Sequence, residues 1–147
     1  MREYTCTCIG AARGFELPET GALKIQMERL IEEQGVRRFL CGMEQGLELA
    51  FGELAAELRD EKYPFITLES VIPYEEQAAE WGEADRERYY NLAARCDREK
   101  MLRRSYAQSC VIERDCFLLG QARYLILEEE GKFKTMVLDM PDSREGR

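Results

Sequence analysis

The chain has 147 residues, 45% hydrophobic and 34% charged, which fits one soluble globular domain with a single core and leaves no room for a second domain. Its 21 basic against 29 acidic residues give a formal charge of -8, which disfavours a general grip on nucleic acid or an anionic membrane. No apolar run reaches the roughly 18 residues of a membrane span, and "MREYTCTCIG" lacks the apolar segment of a signal peptide. A cytoplasmic location is therefore expected, with one domain over residues 1–140 and a polar tail over 141–147.

In chain order, "EYTCTCIG" from Glu3 to Gly10 is a β-rich run, followed by the loop "AARGFELPETG". From Ala22 to Gln34, Leu23, Met27, Leu30 and Ile31 recur at helical spacing, and Gly35 is placed to end the helix. "RRFLCG" reads as a short strand closing at Gly42. Helical periodicity then runs from Leu47 through Leu58 until Pro64 ends it. "FITLESVIP" is a strand, Glu75 to Cys96 an acidic helix, and "CDREKML" another short strand. Val111 to Leu119 reads as a helix, "RYLILEEEG" as a strand with a solvated exit at Glu128 to Glu130, and "KTMVLDM" as a last strand.

Strands alternating with helices at this cadence predict an α/β fold: a Rossmann-like, doubly wound, mostly parallel sheet with helices on both faces. Ligands of such sheets sit beyond the carboxyl ends of the strands. Gly10, Gly42 and Gly46 all fall at predicted strand ends, where backbone amides and a helix N-terminus can face an anion. Two readings of "CGMEQGLE" stay open, a ligand cradle or a tight turn, because the glycines do not form the G-x-G-x-x-G fingerprint. No cofactor is expected. Nor is a metal, since the six cysteines form no Cys-x-x-Cys and the chain has no histidine. Cys6 and Cys8 fall on one face of a strand, as small apolar core residues do.

The stretch "YPFITLESVIPYEEQAAEWGEADRERYYNLAARCD" carries a resemblance. Its Tyr63, Pro64, Pro73, Gln77, Trp81, Asp85, Arg86 and Tyr89, with Tyr106, Cys110 and Arg114 downstream, match the pattern of the bacterial YpsA-like family. That family is a branch of the SLOG superfamily of Rossmann-like domains, related to DNA-processing and LOG-type phosphoribohydrolase proteins. The family's Thr-Gly-His-Arg loop corresponds to "IGAARG", which keeps Gly10, has Ala11 for the histidine, and offers Arg13 after a shift of one residue. Its Gly-x-x-x-Gly-x-Asp motif corresponds to Gly42, Gly46 and Glu48, and the arginine of its Arg-Asn pair to Arg114, with Asp115 for the asparagine. A Gly-Gly-Thr loop has no counterpart in "EEEGKFKTMVLDM".

The resemblance implies a binding or sensor module for a nucleotide or nucleotide-derived small molecule. Gly10, Gly42 and Gly46 would approach the ligand, Glu48 would stand as the motif carboxylate, and Arg13, Arg104 or Arg114 would neutralise phosphate. Each residue also has a plainer reading. Arg114 would pair with Asp115 or Glu113 at the surface, Arg103 and Arg104 would form a solvated basic turn, and Glu48 would face solvent from its helix. Trp81, Tyr89 and Tyr90 would pack rather than stack on a base. Catalysis is the weaker expectation, because Glu48 is the sole carboxylate placed by a motif. The alternative to ligand binding is a scaffold acting through protein contacts, including as a homo-oligomer. Neither nucleic acid nor membrane is an expected partner.

Overall fold

A computed structural model describes residues 1–10 and 20–139. After a 3₁₀ turn at Arg2–Tyr4, the chain runs β1 (Thr5–Cys8), α1 (Thr20–Gln34), β2 (Arg38–Cys41), α2 (Leu47–Glu61) and β3 (Thr67–Ile72). It continues through α3 (Glu83–Arg95), β4 (Arg98–Met101), α4 (Cys110–Gln121), β5 (Tyr124–Glu129) and β6 (Lys132–Val137). The six strands form one sheet in the order β4-β3-β2-β1-β5-β6. All neighbours are parallel except β5 and β6, which pair antiparallel. This is the predicted Rossmann-like α/β fold.

Connection handedness explains where the helices lie. From β1 to β4 each crossover steps the same way along the sheet, so right-handed connections place α1, α2 and α3 on one face. The β4 to β5 connection steps back past β1, which puts α4 on the opposite face. The first face holds the main core, in which Cys6, Cys8, Phe39, Cys41 and Leu68 of the strands meet Leu23, Met27, Phe51 and Leu92 of the helices. Beneath α4 a smaller cluster joins Leu40, Val71 and Leu118. Central β1 is buried along its whole length because both of its faces are covered.

Four of the six cysteines (Cys6, Cys8, Cys41 and Cys110) are buried free thiols, in keeping with the core reading, whereas Cys96 is half-buried and Cys116 exposed. Burial pushes the thiols of Cys6, Cys8 and Cys41 well up, so these groups are poor nucleophiles.

One helix starts later than expected. The acidic helix predicted over Glu75 to Cys96 is helical only from Glu83. Between Pro73 and Gly82 the chain makes short turns, with the N–H groups of Gln77, Ala79 and Trp81 donating to carbonyls three residues back. Proline and glycine bracket this segment, and burying Gln77, Ala78 and Trp81 together outweighs continuing the helix. The exit at Glu128 to Glu130 is solvated as expected, with Glu129 and Glu130 exposed, and it turns directly into β6 as a tight hairpin. Glu130 and Gly131 both have positive φ (52° and 78°), the conformation that two-residue turns between antiparallel strands require.

Candidate functional site

The carboxyl ends of β1 and β2 each pass a glycine before the chain leaves the sheet, and the first turn of α2 packs against both. A Cβ on Gly10 would lie 2.7 Å from Leu47 Cδ2, and one on Gly42 only 2.4 Å from Glu48 Oε1 and 3.1 Å from Arg114 Nε. Gly46 then caps α2 with φ of 84°, a conformation that side chains rarely adopt. Within Cys41 to Glu48, Gly42 thus makes room for a buried ion pair, and Gly46 lets the chain turn into α2.

That pair is Glu48 and Arg114, whose side chains are 1% and 2% exposed. Arg114 Nη2 lies 3.8 Å from Glu48 Oε2, and the same oxygen accepts the Gly10 N–H at 3.3 Å. Arg114 Nη1 donates to the Gly42 carbonyl (3.2 Å), its Nε and Nη2 donate to Asp115 Oδ1 (3.2 and 3.0 Å), and Glu44 stands 3.7 Å away. Gln77 Nε2 also donates to the Gly42 carbonyl, at 3.3 Å. One guanidinium therefore ties α4 to the turn between β2 and α2.

Burial drives the Glu48 carboxyl up to about 7, with Arg114 and the Gly10 N–H partly opposing the rise. Burial also works against the charge of Arg114, but Glu48, Asp115 and Glu44 more than offset it and hold that guanidinium above its ordinary value. The surface readings of both residues are thereby corrected. Glu48 faces inward because the first turn of α2 meets the strand ends, and Arg114 reaches Gly42 across the sheet end rather than pairing with Glu113. Glu113 instead takes Arg103, at 2.6 Å.

Gly42→Ala is expected to cost about 1–3 kcal/mol, the usual range for overpacking. In a Glu48→Ala background the same change should cost clearly less, because the atom in its way is gone. Urea melts of the four proteins would show this, and equal costs in both backgrounds would contradict the geometry.

The predicted site residues thus separate. Gly10, Gly42, Glu48 and Arg114 are brought together, and Gly46 shapes their turn. Arg104 is exposed in the turn after β4 and forms no ion pair among the described residues. Arg13 lies outside the described residues.

Beside the buried pair, an open cleft of about 340 Å³ is lined by Tyr74, Glu76, Gln77, Ala79, Glu80 and Trp81. Gln77 is 5% exposed, and among the described residues its Oε1 has no hydrogen-bond donor, nor has Glu48 Oε1. Tyr74 meets Tyr106 edge to face, with ring centroids 5.3 Å apart, and Tyr106 is 66% exposed. Burial, and after it Glu44, raises the Tyr74 phenol above its ordinary value. Trp81 and Tyr89 are packing residues, as expected, in edge-to-face contact at 5.3 Å, whereas Tyr90 is exposed. The Tyr74–Tyr106 pair is what pattern reading missed: the two lie 32 positions apart, at the ends of different strands, with no periodicity to link them.

Among the described residues no helix is long and apolar enough to cross a membrane. A family model described as "YspA SLOG family" matches residues 20–145. The chain is also similar to the UPF0398 protein BH1768 of Halalkalibacterium halodurans, 36% identical over 76 residues. That alignment covers 52% of this chain and 39% of the relative.

Proposed function

This chain belongs to the YpsA family of SLOG domains, and from that premise we propose that it is a binding module for a nucleotide or nucleotide-derived ligand, seated in the cleft beyond β3. The observation that carries this reading is Gln77, a buried amide whose oxygen lacks a donor among the described residues and which lines a cleft with the half-buried Tyr74, whose ring meets the exposed Tyr106. A buried acceptor left unmatched costs free energy that a hydroxyl or amino donor of a ligand recovers. A nucleoside supplies such donors together with a planar base, and Tyr106 offers that base a face.

We assign the phosphate to Arg104, which is exposed in the turn after β4 and makes no ion pair among the described residues, although the cleft itself is lined by Glu76 and Glu80. Arg114 is not available to it, since Gly42, Asp115, Glu48 and Glu44 already consume its donors and its charge. Glu48, the carboxylate placed by the family motif, is 1% exposed and turned toward Arg114 and the Gly10 N–H, so the reading is one of binding rather than turnover.

The test is a thermal-shift and titration series with mono-, di- and cyclic nucleotides, run beside Tyr106→Ala and Arg104→Gln, both exposed positions. A ligand at a hundred times its dissociation constant adds about 2.7 kcal/mol of stability. Loss of Tyr106 should weaken nucleosides and nucleotides alike by about ten-fold or more, the scale of a stacked base. Loss of Arg104 should weaken nucleotides while leaving nucleosides unchanged. If no compound moves the midpoint at millimolar concentration, the binding reading fails and the family fold here serves protein contacts instead.

A further inference from the structure

A second groove lies at the other end of the molecule, between α1 and the β5–β6 hairpin, with a volume of about 290 Å³. Leu30, Tyr124 and Val137 form its apolar part, and Arg29 and Arg123 supply two positive charges. Among the described residues Glu33 is the sole carboxylate lining it, against two arginines in a protein whose formal charge is -8, and Glu3 lies within electrostatic reach of Arg123. Among those residues neither arginine makes an ion pair, although Glu33 stands one helical turn from Arg29.

Three further details point to a ligand rather than a solvated rim. Arg123 Nε is buried without an acceptor among the described residues. The Arg123 guanidinium stands 5.8 Å from the centre of the Tyr124 ring, which restrains where it points. The walls are also braced across the two elements: Gln26 Nε2 donates to Thr135 Oγ1 at 2.6 Å, and the Tyr124 hydroxyl donates to Gln34 Oε1 at 3.4 Å. The groove is thus held open by hydrogen bonds that do not use either cation.

We propose that this groove is a binding site for a small organic anion, a carboxylate or phosphate monoester carried on a ring or short apolar body. The anion takes the Arg123 and Arg29 guanidinium groups as charge-assisted donors, while the body lies on Leu30, Tyr124 and Val137. The site stands at the amino-terminal ends of the strands, opposite the nucleotide cleft, and does not depend on that reading.

Benzoate and phenyl phosphate serve as probes, with benzamide and inorganic phosphate as controls, followed through the arginine side-chain Nε–Hε signals in proton–nitrogen NMR spectra. The expected result is saturable movement of the Arg29 and Arg123 signals with one or both aromatic anions. Preference between the two probes tells carboxylate from phosphate. Arg123→Gln and Arg29→Gln should each weaken binding by about ten-fold, the scale of one charge-assisted hydrogen bond. Glu33→Gln should tighten it, a gain that a damaged fold would not give. Arg104→Gln should leave it unchanged, which separates this groove from the nucleotide cleft. An equal response to benzamide, no movement at 10 mM probe (on the order of the weakest affinity worth assigning), or full binding in an Arg29→Gln/Arg123→Gln variant would each overturn the proposal.

Discussion

Arg114→Ala is expected to lower the free energy of unfolding by about 3–5 kcal/mol, the cost of breaking a buried ion pair by removing one partner. The side chain is almost wholly buried, and its loss takes one donor from the Gly42 carbonyl and the countercharge from Glu48, which must then take up a proton or stay charged in a dry site. Arg114→Lys should recover little, because an ammonium cannot span Gly42, Asp115 and Glu48 as the planar fork does. Neutralising the partner should help more: Glu48→Gln/Arg114→Met should lie above Arg114→Ala alone, since replacing both charges avoids the stranded carboxylate. Chemical denaturation at pH 7 checks the series. A cost below about 1 kcal/mol for Arg114→Ala, the range of exposed pairs, would mean that the surface reading of this arginine was right after all. For the same reason Arg114→Ala is a poor ligand probe: loss of binding would not be separable from loss of fold.

Glu48 should impose a pH dependence of the opposite sign to that of most carboxylates. Its carboxyl rises from the ordinary 4.5 to about 7 in the folded protein, so the folded state holds the proton more tightly than the unfolded one. Stability from this group is therefore fully present below pH 4.5 and is lost as pH rises through about 7. The total is about 3 kcal/mol, since each tenfold change in proton affinity is worth roughly 1.4 kcal/mol. Exposed carboxylates held below their ordinary values by arginine neighbours, among them Asp60 and Glu113, act the other way and favour the folded state at higher pH. The difference between wild type and Glu48→Gln isolates the Glu48 contribution from theirs. Urea melts from pH 4.5 to 8 should show the glutamine variant gaining on the wild type as pH rises, most steeply between pH 5 and 7. Parallel curves would mean that Glu48 titrates normally and is not in a dry site.

Legibility followed the range of the interactions. Leu23, Met27, Leu30 and Ile31 announced α1 because helical spacing is a local pattern, and all four are buried. The alternation of strands and helices was enough for the sheet, since right-handed connections leave few other topologies. The turn segment after Pro73 misled because its acidic, alanine-bearing sequence suits a helix. It folds otherwise through contacts of Gln77 and Trp81 that lie outside the local pattern.

For the site, the local glycine motif pointed to the right turn, while the solvent-facing reading of Glu48 did not survive. Gly42, Gly46 and Glu48 are neighbours in sequence, so their convergence was legible. Whether Glu48 faced water or the sheet end depended on Arg114, which approaches from a helix on the opposite face, 66 positions away. The sequence by itself determined the α/β class, the order of the elements, their apolar faces and the family. Only the tertiary structure decided which charges are buried, that Arg114 is spent within the fold, and that Tyr74 meets Tyr106. Periodicity records which face of an element avoids water, whereas the desolvation and pairing of a charge depend on what another part of the chain brings against it.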